Sequence, residues 1–172
     1  MTNKDHRTRL GGAGPEVFPV ALGCMGMSGM YGEATDAEGI ATIQEGIERG
    51  VDLIDTGDFY GMGHNELLVR RAIEGRRDKV LLSVKFGALR GPDGSWLGID
   101  TRPAALKNFA AYSLKRLGVD VIDVYRPARL LGALDKPMSP EEVARVESVL
   151  PAGAIAGSRY QQAQMAHLDS ER

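Results

Sequence analysis

A rhythm constrains this chain more than any single residue does. Short apolar runs at residues 20–24, 51–55, 80–84 and 121–125 alternate with stretches of helical spacing. Ile40, Ile43 and Ile47 recur three and four positions apart, and Leu67, Leu68 and Ala72 share one face of a second stretch, the period of a helix with one buried side. Thr35 or Asp36 is placed to cap the first helix, which starts near Asp36, and Gly50 is placed to stop it. The second helix is predicted over 65–74. The third begins with Thr101 as cap and Pro103 in its first turn, and ends near Leu117. A short hairpin is expected over 8–19 and a polar, Gly-rich loop over 87–100. Strand–helix alternation of this kind argues for an α/β fold, a parallel sheet with helices outside.

An internal echo accompanies the rhythm. Residues 49–55 read Arg-Gly-Val-Asp-Leu-Ile-Asp, and residues 117–123 read Leu-Gly-Val-Asp-Val-Ile-Asp. Each copy is a helix end, a glycine stop and an apolar strand, two strand–helix units apart. That suits a barrel of repeated units, and it also suits the ordinary grammar of helix-to-strand joints. It makes Asp55 and Asp123 equivalent in local pattern.

Composition narrows the functional classes. The 172 residues suffice for one ordinary domain, and 43% apolar with 26% charged content reads as soluble and globular. A net charge of −2 gives no electrostatic case for nucleic acid or an anionic membrane. Arg70, Arg71, Arg76 and Arg77 stand among acidic residues and read as a solvated helix face. A single cysteine, Cys24, excludes an internal disulfide and reads as a small buried apolar residue. No apolar core of a signal peptide is visible near the N-terminus, and no run approaches the ~18 apolar residues of a membrane span. These features together predict a cytoplasmic protein. His6, His64 and His167 lack ligand spacing, so no metal is expected.

The chemistry concentrates where two apolar runs end. Asp55-Thr-Gly-Asp-Phe-Tyr60-Gly follows the second run, and Lys85 closes the third. A phenol donates a proton near neutral pH only if its pKa is lowered, which a nearby ammonium does. A carboxylate can hold that ammonium in place. For Tyr60 and Lys85 taken alone, an aromatic loop anchor and a strand-end surface lysine are the plainer readings.

Four ordered segments resemble the aldo-keto reductase family: ALGCMGMSGMYG at 21–32, DTGDFYGMGHNE at 55–66, VLLSVKFG at 80–87 and SLKRLGVDVIDVY at 113–125. The second is similar to a D-T-A-x-x-Y-G-x-G-x-x-E signature. The resemblance runs almost continuously over 8–128. It implies a (β/α)₈ TIM barrel, NADPH (or NADH) as hydride donor and a small carbonyl compound as substrate. It assigns Tyr60 as proton donor, Lys85 as the lysine beside it and Asp55 as the partner of that lysine. It also places the cofactor against Gly23, Cys24 and Asp55.

Two departures qualify that expectation. The position three residues after Tyr125, usually histidine in the family, is Ala128, which can neither donate nor accept a side-chain hydrogen bond. His64 is a conceivable substitute, though a surface or loop-capping role fits it better. From about Leu131 the chain resembles the C-terminal end of such reductases: Ser139 and Glu142 form a capping box, and Val143, Val146 and Val149 mark a helix ending before Pro151. Strands five to eight have no counterpart, whereas a full barrel takes ~250 residues. The expectation is an incomplete barrel: an N-terminal hairpin and about four parallel strands with outer helices over 1–128, then a helix and irregular tail over 129–172. Its two open sheet edges predict a homodimer. The alternatives are a non-catalytic half-barrel remnant or interaction module and, third, a barrel enzyme using Lys85 as a Schiff-base lysine.

Overall fold

The computed structural model describes residues 7–128. These fall within the first of two units, which divide between Ala128 and Arg129. The capping box at Ser139, the helix after it and the tail all lie outside the described residues.

The N-terminal hairpin pairs β1 (Thr8–Arg9) antiparallel with β2 (Glu16–Val17). Asp52 ties it to the sheet by accepting from the Phe18 N–H at 2.9 Å and pairing with Arg7. The chain then runs through β3 (Leu22–Gly23), α1 (Asp36–Glu48), β4 (Leu53–Gly57), α2 (His64–Ala72) and β5 (Leu81–Phe86). A hairpin of β6 (Ala88–Arg90) and β7 (Trp96–Ile99) precedes α3 (Pro103–Leu117) and β8 (Val124–Pro127). The main sheet is parallel throughout, in the order β3-β4-β5-β8. Among the described residues β3 and β8 are its outer strands and no closed barrel forms.

The two faces of the sheet divide the labour. Ile54 on β4 and Leu82 and Val84 on β5 point toward the helices, where they bury with Ile43, Ile47, Leu68, Val69, Ala72 and Leu117 in one apolar cluster. Because strand side chains alternate, Asp55, Ser83 and Lys85 stand on the opposite face. The register continues this onto β8, where Val124 pairs with Ser83 and Arg126 with Lys85.

Several expectations need correcting. The stretch over 87–100 is not simply a loop, since it contains the β6–β7 hairpin. Gly87 permits it: its φ is +94°, and a Cβ there would lie 2.8 Å from the Asp100 carbonyl oxygen. The third helix is capped at Arg102, without a side-chain hydrogen bond, rather than at Thr101. The second and fourth strands begin two and three residues later than their apolar runs: Val51 N–H still closes the turn onto the Gly46 carbonyl of α1, and Val121 stands exposed ahead of β8. That shift breaks the echo. Asp55 lies within β4 on the inner face, whereas Asp123 precedes β8, accepts from the Leu82 N–H at 2.8 Å and pairs with Arg77 at 2.7 Å.

Thr35 caps α1 as a full capping box, with the Glu38 side chain returning to the Thr35 N–H. Thr35→Ala is expected to cost about 0.5–2 kcal/mol, read as a lower urea midpoint with an unchanged slope.

Candidate active site

The site grows from the C-terminal ends of β4 and β5. Parallel pairing puts Asp55 beside Ser83 and Gly57 beside Lys85. Two further backbone bonds extend the ladder: Asp58 N–H donates to the Lys85 carbonyl at 2.9 Å, and Cys24 N–H donates to the Asp55 carbonyl at 2.8 Å. The segment leading to Tyr60 is therefore pinned to the strand that carries Lys85.

Asp55 is the junction. Its Oδ2 pairs with Lys85 Nζ, while its Oδ1 accepts from Ser83 Oγ at 2.9 Å and from Arg126 Nη2 at 2.7 Å. The Asp55 and Lys85 side chains keep 17% and 18% exposure, so their charges are only partly screened by water. Lys85 Nζ lies 5.1 Å from the centroid of the Tyr60 ring, within the range of a cation–π contact. The ring is buried, meets Phe59 edge-on at 4.7 Å, and lies so close over Gly57 that a Cβ there would be 3.2 Å from its Cε1 and Cζ. The structure thus brings together the three residues read from sequence as acid, phenol and amine.

The turn after Tyr60 is sharp. Gly61, Met62 and Gly63 all have positive φ, Met62 at +55°, a conformation that costs a non-glycine residue about 1–2 kcal/mol. Asn65, fully buried, holds this turn against its surroundings. Its amide donates to the Cys24 carbonyl at 2.8 Å and to Ser28 Oγ at 2.7 Å, and its oxygen accepts from Thr56 Oγ1 at 2.6 Å. His64 is exposed and bridges Ser28 Oγ at 3.0 Å and Asp36 Oδ1 at 2.9 Å. It ties the first loop to α1, the loop-capping role.

The residues expected to meet a cofactor differ in what they offer. Gly23 is exposed, and a Cβ built there would meet nothing within 4 Å, so a flat ring can approach the backbone at the end of β3. Cys24 is fully buried; burial above all, helped by the Asp55 charge, pushes its thiol up to about 12. It stays neutral, so only its backbone is open to a role. Asp55 has both oxygens engaged within the protein. These groups fit the nicotinamide end of a dinucleotide. Among the described residues, no group of three or more His, Cys, Asp or Glu side chains is arranged to hold a metal.

Sequence reasoning missed two features. Arg126 reaches Asp55 from β8, and strand alternation from Lys85 across the register would have found it. Behind the sheet lies a buried polar cluster. Glu66, fully buried, pairs with Arg116 of α3 through Oε2, while its Oε1 and the Tyr125 hydroxyl have no hydrogen-bond partner among the described residues, and Asp58 beside them is met only by the Gly87 and Phe59 backbone N–H groups. Burial, reinforced by the Glu66 charge, pushes the Asp58 carboxyl up to about 6. The same cause raises the Tyr125 hydroxyl. Glu66 closes the D-T-A-x-x-Y-G-x-G-x-x-E signature, but no apolar or charge periodicity marks it as buried or joins it to Asp58 and Tyr125.

A carboxyl raised by folding binds its proton more readily folded than unfolded. Asp58 therefore favours the folded state below its unfolded pKa of ~4, and that contribution is lost as pH rises through about 6. Wild type is expected to lose stability relative to Asp58→Asn across this window in urea melts. A difference that stays constant with pH would contradict the assignment.

Comparison with known proteins adds an independent line. Residues 19–155 match the model of the Aldo/keto reductase family. The chain is 34% identical over 115 residues to the NADP(+) aldo-keto reductase yakc of Schizosaccharomyces pombe, covering 66% of this chain and 34% of that protein. It is 37% identical over 126 residues to a probable aldo-keto reductase 1 of Glycine max, covering 71% and 36%. Among solved structures, the holo form of the aldo-keto reductase AKR11C1 from Bacillus halodurans superposes with a TM-score of 0.63 at 27% identity, covering 83% of this chain and 46% of that one. The chain spans about a third of the length of these curated relatives.

Proposed function

Because the chain belongs to the aldo/keto reductase family, we propose that its inner sheet face carries the proton-donating half of an NADPH-dependent carbonyl reductase. The observation that carries this reading is Lys85 Nζ held by Asp55 at 5.1 Å from the Tyr60 ring centroid. NADPH, when bound, supplies the hydride that the carbonyl carbon accepts. Gly23, the Cys24 backbone and Asp55 are the residues that would meet its nicotinamide end. NADH is the other candidate donor, and the NADP(+) in the yakc name favours the phosphorylated form.

This chain's own contribution is the proton. The Tyr60 hydroxyl gives its proton to the carbonyl oxygen as negative charge develops there. The Lys85 ammonium beside the ring stabilises the phenolate that remains. Asp55 keeps Lys85 in place, and Ser83 orients Asp55. Packing of the Tyr60 ring over Gly57 and against Phe59 fixes the phenol without a search over rotamers. Ala128 leaves the substrate oxygen without the histidine partner usual in the family, so Tyr60 bears the whole proton transfer.

Tyr60→Phe removes the donor and leaves the ring packing. The aldehyde-dependent rate of NADPH oxidation with an aromatic aldehyde is expected to fall about a hundredfold to ten-thousandfold. Equal rates would exclude the mechanism. The second reading, a non-catalytic half-barrel, is favoured by the chain's short span relative to its relatives and by Ala128. Cofactor titration separates the two readings: failure to bind NADPH supports the remnant, and saturable binding supports the reductase.

A further inference from the structure

Asp55 is one carboxylate shared by two cations. Lys85 on β5 and Arg126 on β8 are register partners, so both project from the same face at the same level. Asp55 meets them from the level below, through Oδ2 and Oδ1 respectively. The cluster keeps an excess positive charge beside the proposed proton donor. In a partly desolvated setting that excess is felt strongly by an incoming anion.

Arg126 also has donors to spare. Its Nη2 donates to Asp55, and its Nε points to Ser83 Oγ at 3.4 Å, at the long limit of a hydrogen bond. A guanidinium carries five N–H groups. Nη1 makes no hydrogen bond among the described residues, and the side chain retains 31% exposure. Were Arg126 needed only to neutralise Asp55, Lys85 would already suffice. A half-exposed guanidinium with an unspent edge is instead suited to a planar carboxylate.

We propose that the substrate is an anionic carbonyl compound, an aldehyde or ketone bearing a carboxylate that Arg126 binds while its carbonyl is reduced. This rests on the reading of Tyr60 as proton donor. The carboxylate is a handle and changes no bond; the carbonyl carbon takes the hydride and the carbonyl oxygen takes the Tyr60 proton.

The test has a binding arm and a turnover arm. In calorimetric titrations wild type is expected to bind benzoate about tenfold or more tighter than the isosteric neutral benzamide. Arg126→Gln is expected to abolish that preference and Arg126→Lys to keep part of it. Added salt is expected to weaken benzoate and not benzamide, a readout on wild type that needs no variant to fold. In turnover, the ratio of kcat/KM for para-carboxybenzaldehyde over para-methylbenzaldehyde is expected to fall by the same factor in Arg126→Gln. A residue that merely positions Asp55 would lower both values equally and leave the ratio intact. Equal affinity for benzoate and benzamide, no benzoate binding, or a preference that survives Arg126→Gln would each overturn the proposal. If neither aldehyde turns over but the benzoate preference is present and depends on Arg126, the proton-donor reading fails and the anion site stands. If Tyr60-dependent reduction occurs without a carboxylate preference, the anion site alone fails.

Discussion

The carboxylate of Asp55 organises the inner face of this sheet. It gathers a lysine from β5, an arginine from β8 and a serine hydroxyl from β5, so three adjacent strands meet at one group. Removing it would leave two cations facing each other across one register position, with only partial exposure to relieve the repulsion. The paired charges let that face remain polar, while the opposite face contributes the apolar cluster that holds the helices on. Placing Lys85 also places the Tyr60 ring, because the Asp58 N–H binds the carbonyl of that same lysine. Fold and site are therefore joined through β4 and β5.

The rest of the unit supports this junction from outside. Asn65 and Glu66 leave the first turn of α2 in adjacent positions and serve different ends. Asn65 fixes the loops after β3 and β4, and Glu66 reaches Arg116 to bind α2 to α3. Buried polar groups of this kind narrow the arrangements a core can adopt when their partners are in place. Among the described residues Glu66 Oε1 and the Tyr125 hydroxyl find no hydrogen-bond partner, and burial with the Glu66 charge pushes the Asp58 carboxyl toward the neutral form against the pull of the Gly87 and Phe59 backbone N–H groups and the Arg116 charge.

Much of the scaffold was legible in the sequence because it rests on periodicity. Ile40, Ile43 and Ile47 announced α1, and the apolar runs announced the order of parallel strands. Asp55, Tyr60 and Lys85 were singled out as an acid, a phenol and an amine at the ends of two apolar runs, and only the family resemblance gave them roles; the structure adds their proximity. Arg126 was not singled out, since an arginine just past the end of an apolar run only becomes a site residue once cross-strand register is known. The β6–β7 hairpin was hidden because its strands are only three and four residues long and its apolar Trp96, Leu97 and Ile99 do not alternate into a buried face but stand exposed, so the hairpin is defined by backbone pairing and the turn at Gly87. Strand starts were misplaced for a related reason: the apolar residues after Gly50 and Gly118 pack against the core while still completing the turn, so hydrophobicity runs ahead of the ladder. The equivalence of Asp55 and Asp123 failed at this point, since an identical local pattern entered the sheet at a different register.

The central claim is that Asp55 organises Lys85 and Tyr60 for proton transfer. Single-turnover oxidation of NADPH by an aromatic aldehyde in wild type and Asp55→Asn, with circular dichroism confirming that the variant is folded, tests it most directly. The account predicts that the folded variant reacts at least about a hundredfold more slowly. A folded Asp55→Asn protein that reduces the aldehyde at the wild-type rate would contradict it.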